Sequence, residues 1–104
     1  MDFIEYQCEA MLTAIYPKKQ GLIYTALGLC GESGEVAEKI KKRIRDDTKV
    51  SPDAILSELG DVLFYTTALA NYYNFNLASV IAQNMFKLDG REARGTIKGS
   101  GDER

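Results

Sequence analysis

An uncharged run from Val62 to Phe86 is the feature that most constrains the fold of this 104-residue chain. The run is long enough to suggest a membrane span, but Asn71, Asn74 and Asn76 interrupt it and mark the end of a helix. These residues therefore predict helices that pack in a core or against another copy of the chain. Because a domain of this size leaves much of its apolar surface at the rim, we expect it to self-associate.

Helical periodicity also dominates the rest of the chain, and no alternating, strand-like run occurs. Pro17 and Gly21 punctuate the chain after a first helix, and Ser51 followed by Pro52 is a typical start for a third helix. Asn76 can cap a fourth helix. The sequence therefore predicts an all-α fold with four helices, over residues 2–15, 22–44, 52–73 and 77–88.

The end of the chain differs in composition from the predicted helices. The segment 90–104 is rich in glycine and charged side chains and has no apolar periodicity. We therefore predict one helical domain over residues 1–89 and a Gly-rich, basic tail over residues 90–104. Such a tail is either flexible or ordered by a ligand, in which case it could act as a lid.

The charge balance and the first residues limit the classes of function. The chain has 13 basic and 15 acidic residues, a net charge of −2, which offers no broad basic surface for nucleic acid. The N-terminal segment lacks the basic start and apolar centre of a signal peptide, and Cys8 and Cys30 fit free thiols in a reducing compartment. We therefore expect a cytoplasmic protein with no nucleic-acid partner and no membrane partner.

The chain contains no histidine, which removes the commonest general base and the usual zinc ligand. Two distant cysteines cannot make a zinc site on their own. Any bound metal must therefore be held mainly by oxygen atoms. Carboxylate ligands suit Mg²⁺ or Mn²⁺, which are also the usual partners of phosphate substrates.

Two acidic pairs with three-residue spacing are the candidate ligands: Glu32 with Glu35 on the second helix, and Glu58 with Asp61 on the third. Residues three apart on a helix lie on one side of it, so both carboxylates of a pair can reach a common point. Two such helices packed side by side would bring four carboxylates together. Their repulsion would have to be offset by divalent cations, basic groups or protonation.

A solvated helix face is the alternative explanation for an acidic pair. Two Glu–Lys pairs on the second helix have the spacing of ordinary surface ion pairs, namely Glu35 with Lys39 and Glu38 with Lys42. Two features favour a site instead. Asp61 stands at the edge of the uncharged run, where a carboxylate without a partner is costly. Glu32 and Glu58 border the apolar stripes of their own helices rather than lying opposite them.

The fourth helix carries positively charged side chains, which are complementary to a phosphate group. Asn84, Lys87 and Arg91 share one face, Arg94 follows in the tail, and together they could bind a phosphate. Alternatively, Lys87 and Arg91 only stabilise the helix, because cations interact favourably with the negative C-terminal end of its dipole. Tyr65, one turn after the acidic pair of the third helix, could stack on a base or bond to a sugar, although an aromatic residue at this spacing is more often part of the core.

The segments "GESGE" and "ELGD" resemble the E-E-x-x-E and E-x-x-D motifs of the MazG-like nucleotide pyrophosphohydrolases. The resemblance extends from about Leu22 into the tail, where "NMFKLDGREARG" is similar to the family's Asn/Lys/Arg-rich closing segment. One position departs from the pattern, because Gly31 stands where the family has a glutamate. The resemblance implies that the metal ligands are Glu32, Glu35, Glu58 and Asp61.

The resemblance also implies an assembly and a reaction. Helices of two subunits would form a four-helix core in a homodimer or homotetramer, with each active site near the subunit interface. The reaction would be Mg²⁺-dependent hydrolysis of a nucleoside triphosphate to the monophosphate and pyrophosphate. We expect Glu35 to accept the proton of the attacking water, and Asn84, Lys87 and Arg91 to hold the phosphates. The alternatives are a phosphoribosyl-ATP pyrophosphohydrolase of the same superfamily and a non-catalytic helical oligomerisation module.

Overall fold

The structure is a computed structural model that describes residues 1–104. It contains four α-helices and no strand, which confirms the all-α prediction. The elements are α1 (Phe3–Met11), a 3-10 turn (Lys18–Gln20), α2 (Gly21–Asp46), α3 (Pro52–Tyr72) and α4 (Leu77–Arg94). None of the helices is long and apolar enough to cross a membrane.

Helix α1 ends at Met11, earlier than the predicted end at residue 15. The backbone N–H and the hydroxyl of Thr13 both donate to the carbonyl of Ala10, at 3.0 and 2.7 Å. These bonds close a turn that replaces the next helical turn, because a threonine hydroxyl can compete for the helix carbonyls. Leu12 and Ile15 therefore lie outside the helix and are exposed.

Helix α4 continues past the predicted end at Leu88 and stops at Arg94, so the predicted domain boundary after residue 89 falls inside a helix. The terminator is Gly95, which has a left-handed φ of 69°. The Thr96 N–H donates to the Arg91 carbonyl at 2.8 Å across this glycine, a bond that satisfies one of the last helix carbonyls. Basic side chains of the predicted tail are thus carried by a helix.

Helices α2 and α3 form an antiparallel pair that is the centre of the fold. The early residue Gly21 of α2 lies against Tyr72 at the end of α3, and Lys39 of α2 reaches Glu58 near the start of α3. The residues buried along this pair are small: Gly21, Thr25, Thr67, Ala68 and Ala70. Small side chains at the contact allow the two helix backbones to approach closely.

Gln7 of α1 fixes the turn between α3 and α4. Its Nε2 donates to Asn71 Oδ1 and to the Phe75 carbonyl, both at 3.1 Å. Its Oε1 accepts a bond of 2.7 Å from the N–H of Leu77, the first residue of α4. As predicted, Asn76 caps α4, with its side chain accepting from the Ser79 N–H. These bonds set the direction in which α4 leaves the α2–α3 pair.

The chain by itself is more extended than a compact domain of its length. Its radius of gyration is 16.5 Å, whereas about 13 Å is typical of 100 residues. Only 6 of the 104 residues are buried. Large apolar side chains stay exposed on α3 and α4, namely Leu56, Leu59, Leu63, Met85 and Phe86. The fold therefore leaves apolar helix faces without a partner in the same chain.

Candidate metal centre

Three carboxylates meet where α2 and α3 run side by side. Glu32 lies on α2, while Glu58 and Asp61 lie one turn apart on α3. Each contributes an oxygen atom, and these three atoms lie within 4.8 Å of one another. The three-residue spacing on α3 and the packing of α3 against α2 produce this arrangement. The structure therefore brings together three of the four carboxylates that the sequence predicts as metal ligands.

Like charges repel one another in this carboxylate cluster of Glu32, Glu58 and Asp61. Partial burial raises the pKa of Glu32 above its usual value, and the negative charges of Asp61, Glu58 and Glu35 raise it further. Glu32 and Glu58 are half-buried, whereas Asp61 faces solvent. The cluster thus carries negative charge that a bound cation would offset.

One lysine offsets part of this charge from across the helix pair. Lys39 Nζ of α2 lies 3.3 Å from Glu58 Oε1 of α3. Lys39 is seven residues after Glu32, so the two side chains leave α2 on the same face. The spacing suggests a surface ion pair of Glu35 with Lys39. This pair does not form, because Lys39 pairs instead with Glu58 on the neighbouring helix.

Glu35 stands apart from the three clustered carboxylates. Its side chain is exposed and makes no ion pair, although its charge contributes to the raised pKa of Glu32. One turn further on, Glu38 pairs with Lys41 at 2.7 Å rather than with Lys42, and the bond to Lys41 lowers the pKa of Glu38. Glu35 therefore lies on the solvent side of α2 at the rim of the cluster, and Glu38 is half-buried and paired with Lys41.

The residues of the cluster fit a hard divalent cation. They offer only oxygen atoms, the donors that Mg²⁺ and Mn²⁺ prefer. Oxygen atoms that lie this close on two neighbouring helices are within reach of one ion. The solvent-facing position of Asp61 also suits Mg²⁺, which usually keeps several of its waters.

Tyr65 lies next to the carboxylate cluster, one turn after Asp61 on α3. Its ring packs against the backbone of α2 at Gly28, and its centroid is 6.3 Å from that of Tyr24. Burial raises the pKa of the Tyr65 hydroxyl, and Tyr24 and the charges of the cluster raise it further. The structure therefore places this predicted substrate residue beside the predicted metal ligands.

The four predicted phosphate-binding residues lie together on α4, which packs against α1 and α3 and does not contact α2. Asn84 and Lys87 line a cavity of about 520 Å³. Arg91 and Arg94 line a second cavity, of about 430 Å³, with Lys87 and Asp102. Lys87 Nζ and Arg91 Nη2 lie 3.6 and 3.4 Å from Asp102 Oδ1. These basic residues are thus grouped with one another and with the tail, but not with the carboxylates.

Contacts within the chain order the tail that follows α4. Arg94 Nε and Nη2 donate to the main-chain oxygen of Arg104 at 3.1 and 2.8 Å. The Thr96 hydroxyl donates to the same oxygen at 2.8 Å, and Arg104 Nε donates to the Thr96 carbonyl at 3.0 Å. Together with the Asp102 ion pairs, these bonds fold residues 95–104 back onto α4. The structure therefore places the tail against the last turns of α4.

The sequence reasoning missed three residues near the cluster: Tyr24, Gly28 and Lys39. A signal for each was present, because all three are separated from Glu32 by whole turns of α2, at four, seven or eight residues. The spacing had suggested only a surface ion pair of Lys39 with Glu35. The roles of Tyr24, Gly28 and Lys39 can be recognised only from the packing of α3 against this face of α2.

An all-α fold in which acidic residues of two adjacent helices meet at one point is the arrangement that the resemblance to the helical nucleotide pyrophosphohydrolases implies. Residues 20–95 match the MazG nucleotide pyrophosphohydrolase domain. The chain belongs to this family, which confirms the resemblance of its two acidic motifs.

A phage protein resembles the chain over nearly its whole length. The Gene 37 protein of Mycobacterium phage L5 is 44% identical to the chain, over 95% of this chain and 96% of that protein. No solved structure matches the chain.

Proposed function

We propose that the protein hydrolyses a nucleoside triphosphate, either a ribonucleotide or a deoxyribonucleotide, to the monophosphate and pyrophosphate. The observation that carries the proposal is the meeting of Glu32, Glu58 and Asp61 within 4.8 Å. A helical protein gains no stability from three adjacent carboxylates, because their repulsion opposes folding. Their convergence is explained if they bind a divalent cation, and a nucleoside triphosphate is a substrate that such a cation commonly accompanies.

The ligands of the proposed site are Glu32, Glu58 and Asp61, with Glu35 at its rim, and the proposed ion is Mg²⁺, with Mn²⁺ as a substitute. When bound, the ion would offset the charge of the triphosphate and lower the pKa of the attacking water. In the reaction the water oxygen bonds to the α-phosphorus. The bond from this phosphorus to the bridging oxygen breaks, and pyrophosphate leaves.

A carboxylate must accept the proton of the attacking water, because the chain has no histidine. Glu35 is the proposed acceptor. It is exposed, free of ion pairs and one turn from Glu32. By contrast, Lys39 holds Glu58, and Glu32 and Asp61 lie within the cluster as proposed metal ligands.

The remaining predicted residues are proposed to bind the nucleotide. Asn84, Lys87, Arg91 and Arg94 present an amide and three cations on and at the end of one helix, a set that suits phosphate oxygens. Because α4 does not contact α2 within one chain, these residues are proposed to meet the carboxylates of a second copy at the subunit interface. Tyr65 beside the carboxylate cluster is proposed to contact the sugar or the base.

The test is a panel of canonical and modified nucleoside triphosphates and phosphoribosyl-ATP, each incubated with Mg²⁺. Monophosphate, pyrophosphate and orthophosphate are measured separately. We expect equal amounts of monophosphate and pyrophosphate and no orthophosphate, because cleavage falls at the α-phosphorus. Chelation of the metal should stop turnover, and Mg²⁺ should raise the melting temperature, since a ligand that binds only the folded state stabilises it.

The outcomes separate the alternatives. Turnover of phosphoribosyl-ATP alone would favour the other pyrophosphohydrolase of the superfamily, which shares the metal chemistry. Absence of turnover together with absence of Mg²⁺-dependent stabilisation would contradict the proposal and favour a non-catalytic oligomerisation module.

We also propose that the tail, residues 95–104, acts as a lid over the phosphates. In its position in the structure, Asp102 lies against Lys87 and Arg91, two of the proposed phosphate ligands. A triphosphate carries more negative charge than one aspartate and would displace it from these cations. The tail would then close over the bound nucleotide and exclude bulk water, as mobile segments do in other enzymes.

Two variants of the tail should have opposite effects on the kinetics. Asp102→Asn should lower KM a few-fold with little change in kcat, because the neutral amide competes less with phosphate for Lys87 and Arg91. Truncation after Gly95 should raise KM and lower kcat, because the loss of the lid outweighs the removal of Asp102 from the phosphate-binding cations. The melting temperature should stay nearly constant. Glu103→Gln, next to Asp102 but without an ion pair, is the control. If truncation leaves the kinetics unaltered, the tail is not a lid.

A further inference from the structure

Helix α2 has no side chain at the point where the ring of Tyr65 packs against it. A Cβ atom added at Gly28 would lie 2.6 Å from Tyr65 Cζ and closer still to Cδ1 and Cε1. These atoms belong to a rigid aromatic ring, so a methyl group at residue 28 would force the ring or the helix to move. The space over this glycine therefore determines where Tyr65 lies.

The helical register connects this packing with the carboxylate cluster. Tyr24, Gly28 and Glu32 follow one another at four-residue spacing on one face of α2. On α3, Tyr65 follows Asp61 by one turn on the same side. The ring that fills the space over Gly28 thus lies beside the cluster.

Two further tyrosines continue the row away from the carboxylates. The Tyr24 ring is tilted by 45° relative to that of Tyr65, with centroids 6.3 Å apart, and Tyr16 stacks on Tyr24 at 4.6 Å. Tyr24 is 43% exposed, so part of its surface is open to a ligand. A row of rings with accessible surface and hydroxyl groups can both stack on a flat heterocycle and hydrogen-bond to a sugar.

We propose that Gly28 is a positioning residue that holds Tyr65 beside the carboxylate cluster, so that Tyr65 and Tyr24 form a wall for the sugar and base of the bound nucleotide. This inference rests on the proposed function, because it takes the phosphates to lie at the carboxylates. It adds two residues, Gly28 and Tyr24, that determine affinity for the nucleoside part of the substrate. Stacking on tyrosine accepts any flat base, so the wall supplies affinity more than base selectivity.

A comparison of two glycine variants on α2 tests the packing without any substrate. Alanine is the better helix former, and a Cβ at Gly34 meets no atom within 4 Å, so Gly34→Ala should raise the melting temperature. Gly28→Ala gains the same helix propensity but collides with the Tyr65 ring, and it should lower the melting temperature. An increase with both variants would overturn the inference, because it would mean that Tyr65 is not held by the glycine.

Kinetics of single and double variants then test the positioning role. Gly28→Ala should raise KM for the accepted nucleotide several-fold with a smaller change in kcat, and Mg²⁺ alone should stabilise it as it does the wild type. Tyr65→Ala should raise KM similarly, and the double variant should be no worse than Tyr65→Ala, because the glycine acts through the ring. Additive effects on KM would overturn the inference.

The experiments also separate this inference from the proposed function. If the wild-type protein hydrolyses no nucleotide, the proposed function and the nucleoside wall both fail, while the melting temperatures still report on the packing of Tyr65. If the wild type is active and Gly28→Ala has unchanged KM, only the positioning role of Gly28 fails.

Discussion

Replacing Asp61 with asparagine should reduce turnover by at least about a thousandfold, a loss of about 4 kcal/mol of transition-state stabilisation, because the amide is a poor ligand for a divalent cation. The protein should stay folded. Its stability without metal should be unchanged or higher, since Asp61 is one of the charges that raise the pKa of Glu32. The stabilisation by Mg²⁺ should be lost. Steady-state kinetics and melting curves with and without Mg²⁺ measure these effects.

The matched control for this substitution is Asp53→Asn. Asp53 is an exposed aspartate in the first turn of the same helix α3, away from the carboxylate cluster. The Asp53→Asn protein should lose only the small favourable interaction with the N-terminus of the helix, about 0.3 to 1 kcal/mol, and keep full activity. Glu58→Gln should behave like Asp61→Asn. A folded and fully active Asp61→Asn protein would remove Asp61 from the mechanism.

The chain should associate with further copies of itself in solution, and a single substitution at the contact should weaken this association strongly. We propose that a second copy covers the exposed apolar stripe Leu56, Leu59 and Leu63 of α3, which the extended shape of the single chain leaves uncovered. Sedimentation at micromolar concentration should show a dimer or a tetramer. Leu59→Lys should weaken the association roughly a hundredfold or more, because about 1.5 to 3 kcal/mol is lost for each leucine and a symmetric interface contains two.

Ile15→Lys is the control for the association experiment. Ile15 is 93% exposed and lies in the loop after α1 rather than on the stripe. The same introduced charge should therefore leave the oligomer intact. A wild-type protein that sediments only as a monomer at micromolar concentration would contradict self-association, and disruption by Ile15→Lys alone would place the interface elsewhere.

The sequence by itself determined the helices and the acidic motifs. Apolar periodicity and the cap residue Asn76 act within one or two turns of the chain, so four helices and the start of α4 could be predicted. The spacing of Glu58 and Asp61 is equally local, because two residues one turn apart on a helix share a side whatever surrounds them. The two motifs also sufficed to indicate the family that the match over residues 20–95 confirms.

Helix ends were predicted less well, because single hydrogen bonds decide them. The hydroxyl of Thr13 ends α1 near Met11, although apolar residues continue beyond it. The predicted end of α4 was too early, because glycine inside a helix costs only about 1 kcal/mol relative to alanine. Gly90 therefore stays helical, and the helix stops at Gly95, where the backbone becomes left-handed.

Only the tertiary structure decided which side chains share the site. The packing of α2 against α3 brings Glu32 next to the acidic pair of α3. It also pairs Lys39 with Glu58 and leaves Glu35 at the rim of the cluster. The same packing places the ring of Tyr65 against Gly28. The physical reason is that contacts between helices depend on their rotation and axial register. Both are set by how the side chains of the two surfaces interlock, and no periodicity within one helix specifies them.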